Sequence, residues 1–419
     1  METKYLRLGS VCSKIGSGAT PIGGKEAYQG GGYKLIRSQN VVDLRFAYEG
    51  LAEINEKQAT KLNNVKVEEK DVLLNITGDS VARCCLAPIG ILPARVNQHV
   101  AIIRPKAEIL NPYYLLFWLI VNKQYLLALA AAGATRNGLT KAMISGLVIE
   151  CPSLEKQNRI ASILSTYDSL IENNTKRIRL LEKMAENLYK EWFVRFRFPG
   201  HENVEMENGL PKGWKVEKLG EWGIELETGK RPKGGIDGSI KDGCPSLGAE
   251  CIKELASFDY SSVKMVPKDF YDSLKRGKSS GNDILLYKDG AYIGKVTMFR
   301  DSFPYSEYSI NEHVFFLSPM NVKYRNYLYF TLHQKEFFAL MQNLNRNAAQ
   351  PGLSRSDVER VKIVVPPSKI VEFFDLQVER MLKVIFSLAK QNSLLARQRD
   401  LLLPRLMSGK LEVKEELLE

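Results

Sequence analysis

Cysteine and histidine occur in this sequence without any of the spacings that give them chemistry. The six cysteines, Cys12, Cys84, Cys85, Cys151, Cys244 and Cys251, contain no C-x-x-C pair, and the four histidines do not cluster beside them. This excludes a zinc ribbon or a thioredoxin-like pair, and predicts reduced thiols in a cytoplasmic protein with no metal of its own. Long apolar runs are missing too. The most apolar stretch, Leu115 to Ala132, is interrupted by Asn122-Lys123-Gln124. A membrane span needs about twenty mostly apolar residues, so a buried helix from about Pro112 to Ala131 is expected, and no membrane partner. No apolar segment follows Met1-Glu2-Thr3-Lys4, so no signal peptide is read.

Catalytic signatures are equally scarce. Gly277-Lys278-Ser279 ends like a phosphate loop, but position 272 is Asp where G-x-x-x-x-G-K-[ST] requires Gly. There is no H-E-x-x-H, no G-x-G-x-x-G after a strand, and Val365-Pro366-Pro367-Ser368 lacks the leading Asn or Asp and the closing aromatic of an amino-methyltransferase motif. The chain is not expected to do chemistry or bind a cofactor by itself.

What is present is a duplication. From Ile160, steps of four and three pick out Leu164, Tyr167, Ile171, Asn174, Ile178, Leu181, Ala185, Leu188 and Trp192, a heptad seam with one buried amide. Shifted by 214, the seam recurs as Phe374, Val378, Met381, Ile385, Leu388, Asn392, Leu395, Arg399, Leu402 and Leu406. Parallel pairing at that offset would set Asn174 against Leu388 and Asn392 against Ile178, stranding two amides at roughly 1–3 kcal/mol each. Antiparallel pairing with partner numbers summing to 566 brings Asn174 to Asn392. These two residues are the predicted register device. Arg399 then falls opposite Tyr167, and Pro404 is expected to kink or end the second helix.

The segments before each helix also match in order. Leu8-Gly9 answers to Leu219-Gly220, Gly16–Gly24 to Gly229–Gly235, Asp71–Leu74 to Asp283–Leu286, Asn97-Gln98-His99-Val100 to Asn311-Glu312-His313-Val314, and Gly138-Leu139-Thr140 to Gly352-Leu353-Ser354. The reading is an α+β fold: two repeated mixed α/β domains joined by two long antiparallel coiled-coil helices. Its boundaries are 1–152 for the first lobe, 153–200 for the central helix and its exit, and 201–211 for a linker. The second lobe spans 212–367, the C-terminal helix 368–410 and a tail 411–419. About 33 helical residues at ~1.5 Å each make a rod of about 50 Å.

Net charge is +11, with +6 in residues 1–150, 0 in 151–211, +4 in 212–365 and +1 in 366–419. The excess therefore sits in the lobes, as a polyanion touched at two places would require. The rod spans roughly one and a half turns of duplex, so half-sites about 34–36 Å apart on double-stranded DNA suit its length. Contact candidates are chosen for side chains that meet phosphate or base edges and for recurrence in both lobes. In the first lobe they are Arg37, Ser38, Gln39, Asn40, Thr77, Arg83, Arg136 and Asn137; in the second, Lys230, Arg231, Lys233, Lys288, Tyr292, Lys295, Arg346 and Asn347. His99 and His313 follow Asn-x and precede strands. They are expected first to make a structural hydrogen bond and only second to touch DNA.

Three stretches carry a family resemblance. They are Leu180–Phe193 (LLEKMAENLYKEWF) running into Arg197-Phe198-Pro199-Gly200, Pro211-Lys212-Gly213-Trp214, and Leu401–Gly409 (LLLPRLMSG). Together they resemble the specificity subunits of type I restriction–modification systems. The resemblance covers essentially the whole chain. It implies two target-recognition domains, each reading one half of a split asymmetric site, on a helical spacer that docks two modification subunits. S-adenosylmethionine, and ATP with Mg on added restriction subunits, would then belong to those partners. A stand-alone bipartite DNA-binding or architectural protein is the alternative.

Overall fold

The computed structural model describes residues 4–413 except 22–26, 29, 133–137, 237, 239, 241, 291, 347–351 and the side chains of residues 345 and 346. Its contacts divide into two units, residues 1–171 with 395–419 and residues 172–394. The long helices Leu154–Tyr189 and Ser368–Met407 each give part of their length to both units.

In the first unit, a four-stranded antiparallel sheet runs in the order Cys12–Ser17, Val100–Pro105, Val72–Asn75, Cys84–Leu86. A three-stranded sheet holds Ala52–Ile54 antiparallel and Ala94–Val96 parallel to the middle strand Tyr33–Ile36. Lys4–Arg7 pairs with Val148–Cys151, closing the lobe just before the central helix. Alternation along the middle strands explains why Val72-Leu73-Leu74 reads as an unbroken apolar run. Val72, Leu74, Ala101 and Ile103 join one core with Tyr114–Leu119, while Leu73, Cys85, Val100 and Ile102 join another with Leu35, Ile36 and Val96. A sheet covered on both faces has no polar side to show.

The second unit repeats these three ladders in the same order. Ile224–Thr228, Val314–Pro319, Asn282–Tyr287 and Val296–Arg300 form the four-stranded sheet. Lys264–Val266, Cys244–Leu247 and Ser309–Ile310 form the three-stranded one. Lys215–Lys218 pairs with Lys362–Val365. The repeated Gly-Leu-[Thr/Ser] motif turns out to be architectural. Leu139 and Leu353 are buried, and Thr140 and Ser354 accept from Met143 N and Asp357 N to cap short helices.

The expected single helix over 112–131 is two. Asn111 and Pro112 start the first, Asn122 ends it by donating Nδ2 to Trp118 O, and Lys123–Ala131 follows at 66°. No single helix among the described residues is long and apolar enough to cross a membrane. Pro404 does not stop the C-terminal helix, which continues to Met407. It lies three residues from the end, so one lost helical hydrogen bond leaves little helix to disrupt. Leu406 consequently still reaches the core that holds Ile160.

Every predicted seam member is buried or half-buried. Ile160, Leu164, Asn174, Ile178, Ala185 and Trp192 are buried, as are Phe374, Val378, Ile385, Leu388 and Leu406. In the second unit Asn174 Nδ2 donates to Asn392 Oδ1 at 3.0 Å and to Gln391 Oε1 at 2.9 Å. That contact has the antiparallel register in which partners sum to 566. In the first unit Arg399, the charged seam member, leans one position past Tyr167 and bonds Asp168 at 2.5 Å.

Aromatic residues from the family-like stretches close the second core. Phe193 lies edge-on to Tyr327 and Phe374 at 4.7 and 4.9 Å, and Trp214 stacks on Phe198 at 5.2 Å. Below them Arg300, 8% exposed, is bidentate to Glu379. Asn326 donates to both Glu379 and Asp375. Burial pushes the Asp375 carboxyl up to about 6, the Asn326 hydrogen bond opposing and Glu379 adding to the shift. A carboxyl raised in this way stabilises the fold fully below its unfolded value of 3.8 and loses that contribution as pH rises through about 6. Asp375→Asn should therefore flatten the decline in stability across that window by about 2 kcal/mol, allowing for residual solvent. Denaturation at several pH values checks it; an unchanged decline would refute the assignment.

Candidate nucleic-acid interface

In each lobe one corner gathers the recurring motifs, and its backbone is the same twice. Asn97 Oδ1 accepts from His99 N at 3.0 Å, and Asn311 Oδ1 from His313 N at 2.9 Å. The same asparagines bond through N to Ile36 O and Leu247 O, both at 3.0 Å. His99 O and His313 O accept from Ile76 N and Lys288 N at 3.0 Å. Ile76 O and Lys288 O in turn hold Leu139 N and Leu353 N at 2.8 and 3.0 Å. The glycine loops enter over this frame. A Cβ on Gly18 would sit 1.8 Å from Val96 O, and one on Gly229 1.5 Å from Ile310 O, so only glycine lets the loop pass.

Side chains on the frame differ between the lobes. In the first, Thr20 bonds Gln98 Oε1, Gln98 Nε2 meets His99 Nε2 at 3.1 Å, and His99 Nδ1 meets the Thr77 hydroxyl at 2.6 Å. The partners assign the tautomer: Gln98 donates to Nε2, and the Nδ1–H donates to Thr77. In the second, Arg231 Nε faces Glu312 Oε1 at 3.2 Å, and His313 lies between Glu312 at 3.5 Å and Asp289 at 3.0 Å. Lys288 bonds Glu312 O at 3.2 Å and lies over the Phe315 ring. Both histidines thus make lobe-internal bonds while edging the corner.

Other candidates take varied places. Lys230, Arg231, Lys233 and Arg83 are exposed, and Tyr292 is 62% exposed. Gln39 is exposed and donates to Gly50 O at 3.1 Å. Arg37 donates to the same carbonyl at 2.6 Å and lies over Tyr28. Ser38 uses its carbonyl to accept from Asn75 Nδ2 at 2.9 Å. Lys295 pairs with Glu254 at 3.2 Å. Asn40 requires correction. It is 0% exposed, accepts from Arg37 N and donates to Ala47 O and Glu49 O, so its amide is consumed by the loop it organises and has no edge for a base. Arg136, Asn137 and Asn347, and the side chain of Arg346, lie outside the described residues.

Gln98 and Glu312 are the residues that the motif search passed over. They stood in view, as the variable position between two repeated residues. What singles them out is contact with Thr20 and Arg231, about eighty residues away in sequence.

Metal-ligand geometry occurs elsewhere in the second unit. Glu182, Glu186 and His333 each bring a ligand atom within 4.8 Å of the others and could hold a divalent cation. The three also serve one another, His333 lying 3.2 Å from Glu186. Burial pushes Glu182 up to about 7, whereas the His333 hydrogen bond holds Glu186 below the usual range.

The chain is thus a duplicated α/β protein in which each lobe carries a polar corner and is followed by a long helix. Residues 2–183 and 211–401 match the type I restriction modification DNA specificity domain, and the chain belongs to that family. It is 28% identical over 425 residues to the type I restriction enzyme MjaIX specificity subunit of Methanocaldococcus jannaschii, covering 96% of this chain and 92% of that one. With the HindI specificity subunit of Haemophilus influenzae it shares 22% over 391 residues, covering 75% and 81%. The crystal structure of a type I restriction–modification S subunit from M. genitalium has the same fold, with a TM-score of 0.57 at 16% identity over 97% of this chain and 96% of that one.

Proposed function

We propose that this protein is the non-catalytic DNA-specificity subunit of a type I restriction–modification complex, each lobe reading one half of a split, asymmetric site. The observation that carries the reading is the corner built twice on one backbone frame with different side chains. Equal frames fit equal docking on a duplex, and unequal side chains fit unequal half-sites. The central helix contains 36 residues, about 54 Å at ~1.5 Å per residue, a length suited to setting the gap.

Partner docking has its own support. Leu180 and Met184 on the central helix are 64% and 55% exposed, and Leu376 and Leu394 on the C-terminal helix are 53% and 60% exposed. Apolar side chains left facing solvent on both helices, beyond those buried in the seam, fit a scaffold for further subunits. Two modification subunits would bind S-adenosylmethionine and methylate, and restriction subunits would add ATP and Mg. Sequencing methylated bases in host DNA with and without the gene should reveal one split motif that vanishes on deletion. An unchanged methylation pattern would overturn the proposal. Leu180→Glu with Met184→Glu should abolish co-purification with the modification subunit. Undiminished capture would favour the stand-alone DNA binder.

A further inference from the structure

We infer that the residue between the asparagine and histidine of each corner, Gln98 in the first lobe and Glu312 in the second, is a base-discriminating position. Gln98 takes adenine, and Glu312 the amino group of cytosine. The inference rests on the function proposed above and deepens it to single residues.

The frame fixes where these side chains start, because the asparagine before and the histidine after are tied by matching backbone bonds in both lobes. Each variable side chain is then steadied by one loop residue at an equivalent place, Thr20 or Arg231. In the first lobe the planar Gln98 amide uses one oxygen lone pair on the Thr20 hydroxyl and one N–H on His99. One N–H and one lone pair of the same amide are left over. That is the donor–acceptor couple that meets N7 and the N6 amino group of adenine. Gln98 is exposed, and its two internal bonds remove much of the rotamer freedom that recognition would otherwise cost.

In the second lobe the carboxylate can only accept. Arg231 and His313 face Glu312 Oε1, while Oε2 is shielded and has no partner among the described residues. The Glu312 side chain as a whole is 44% exposed, and an accept-only carboxylate presented there matches the cytosine N4 amino group. Arg231 keeps guanidinium N–H groups beyond the Nε contact for the adjoining phosphate or the paired guanine.

The full chain, co-purified with its modification subunits, can be tested by selection from duplexes with both half-sites randomised, for wild type, Gln98→Glu and Glu312→Gln. Gln98→Glu should move one position of one half-site from adenine toward cytosine, with roughly ten- to hundred-fold loss for the original base and no change in the other half. Glu312→Gln should do the converse in the other half. The untouched half-site shows in each case that the variant is folded. Uniform weakening over all sequences, or an unaltered preference, would overturn the assignment. A wild-type complex that selects no split motif would overturn the proposed function and this inference with it.

Discussion

Glu379→Ala is expected to lower the free energy of unfolding by about 3–5 kcal/mol, the typical cost of breaking a buried ion pair from one side. The arrangement leaves Arg300 little alternative. The residue, last in the strand Val296–Arg300, is 8% exposed, with Nη1 and Nη2 donating to Glu379 at 2.9 and 2.6 Å and Nε to Asp301 at 3.0 Å. Without Glu379 the charge keeps Asp301 and the more distant Asp375, and Asn326 loses one of its two acceptors. Neighbouring Arg325, whose Nε is buried without a partner among the described residues, adds like charge rather than relief. Glu379→Gln should cost less, since one oxygen still accepts. Joint replacement by Arg300→Met and Glu379→Leu should recover much of the loss, because apolar packing replaces the pair at both ends. Urea titration of the four proteins checks this; a Glu379→Ala variant within about 1 kcal/mol of wild type would contradict it.

The second large effect is expected at Arg399, the charged residue in the C-terminal seam. Arg399→Leu restores an ideal heptad pattern yet should destabilise the protein by roughly 2–4 kcal/mol. The guanidinium bonds Asp168 at 2.5 Å and Asp400 at 2.8 Å, with 14% of its side chain exposed and 23% of that of Asp168. Burial already pushes the Asp168 carboxyl above its usual range, even with Arg399 opposing. Leucine removes the opposing charge and raises it further, so the variant should be least stable at alkaline pH and recover as pH falls through the raised value. Adding Asp168→Leu should return stability to near wild type. A double-mutant cycle measures the coupling, and additive losses would mean that the two side chains act independently.

Much of the architecture was legible because it rests on periods. A step of four and three residues produces a buried seam wherever a helix meets one partner. A displaced copy of Leu-Gly, Asn-x-His and Gly-Leu-[Thr/Ser] reports a second lobe whatever the loops contain. The Asn174 and Asn392 pairing was legible for a different reason: two lone amides in otherwise apolar seams have one arrangement in which neither is stranded. Pattern reading failed where a local rule competes with a neighbour. Asn40 looked like a base reader, yet its amide closes its own loop. Asn122 looked like a mere interruption, yet it takes Trp118 O and turns the chain by 66°.

By itself, then, the sequence determined the duplicated lobes, the two long helices, their antiparallel register and the absence of recognisable catalytic motifs, all of which follow from local periodicity and from the cost of burying an unpaired polar group. Only the tertiary structure decided which polar residues are spent inside the fold and which keep open donors and acceptors. Asn40 and Arg300 are consumed by internal partners, whereas Gln98 keeps a donor and an acceptor and Glu312 an acceptor. Such bonds join residues about eighty apart for the corners and for Arg300 with Glu379, and no spacing rule reaches that far.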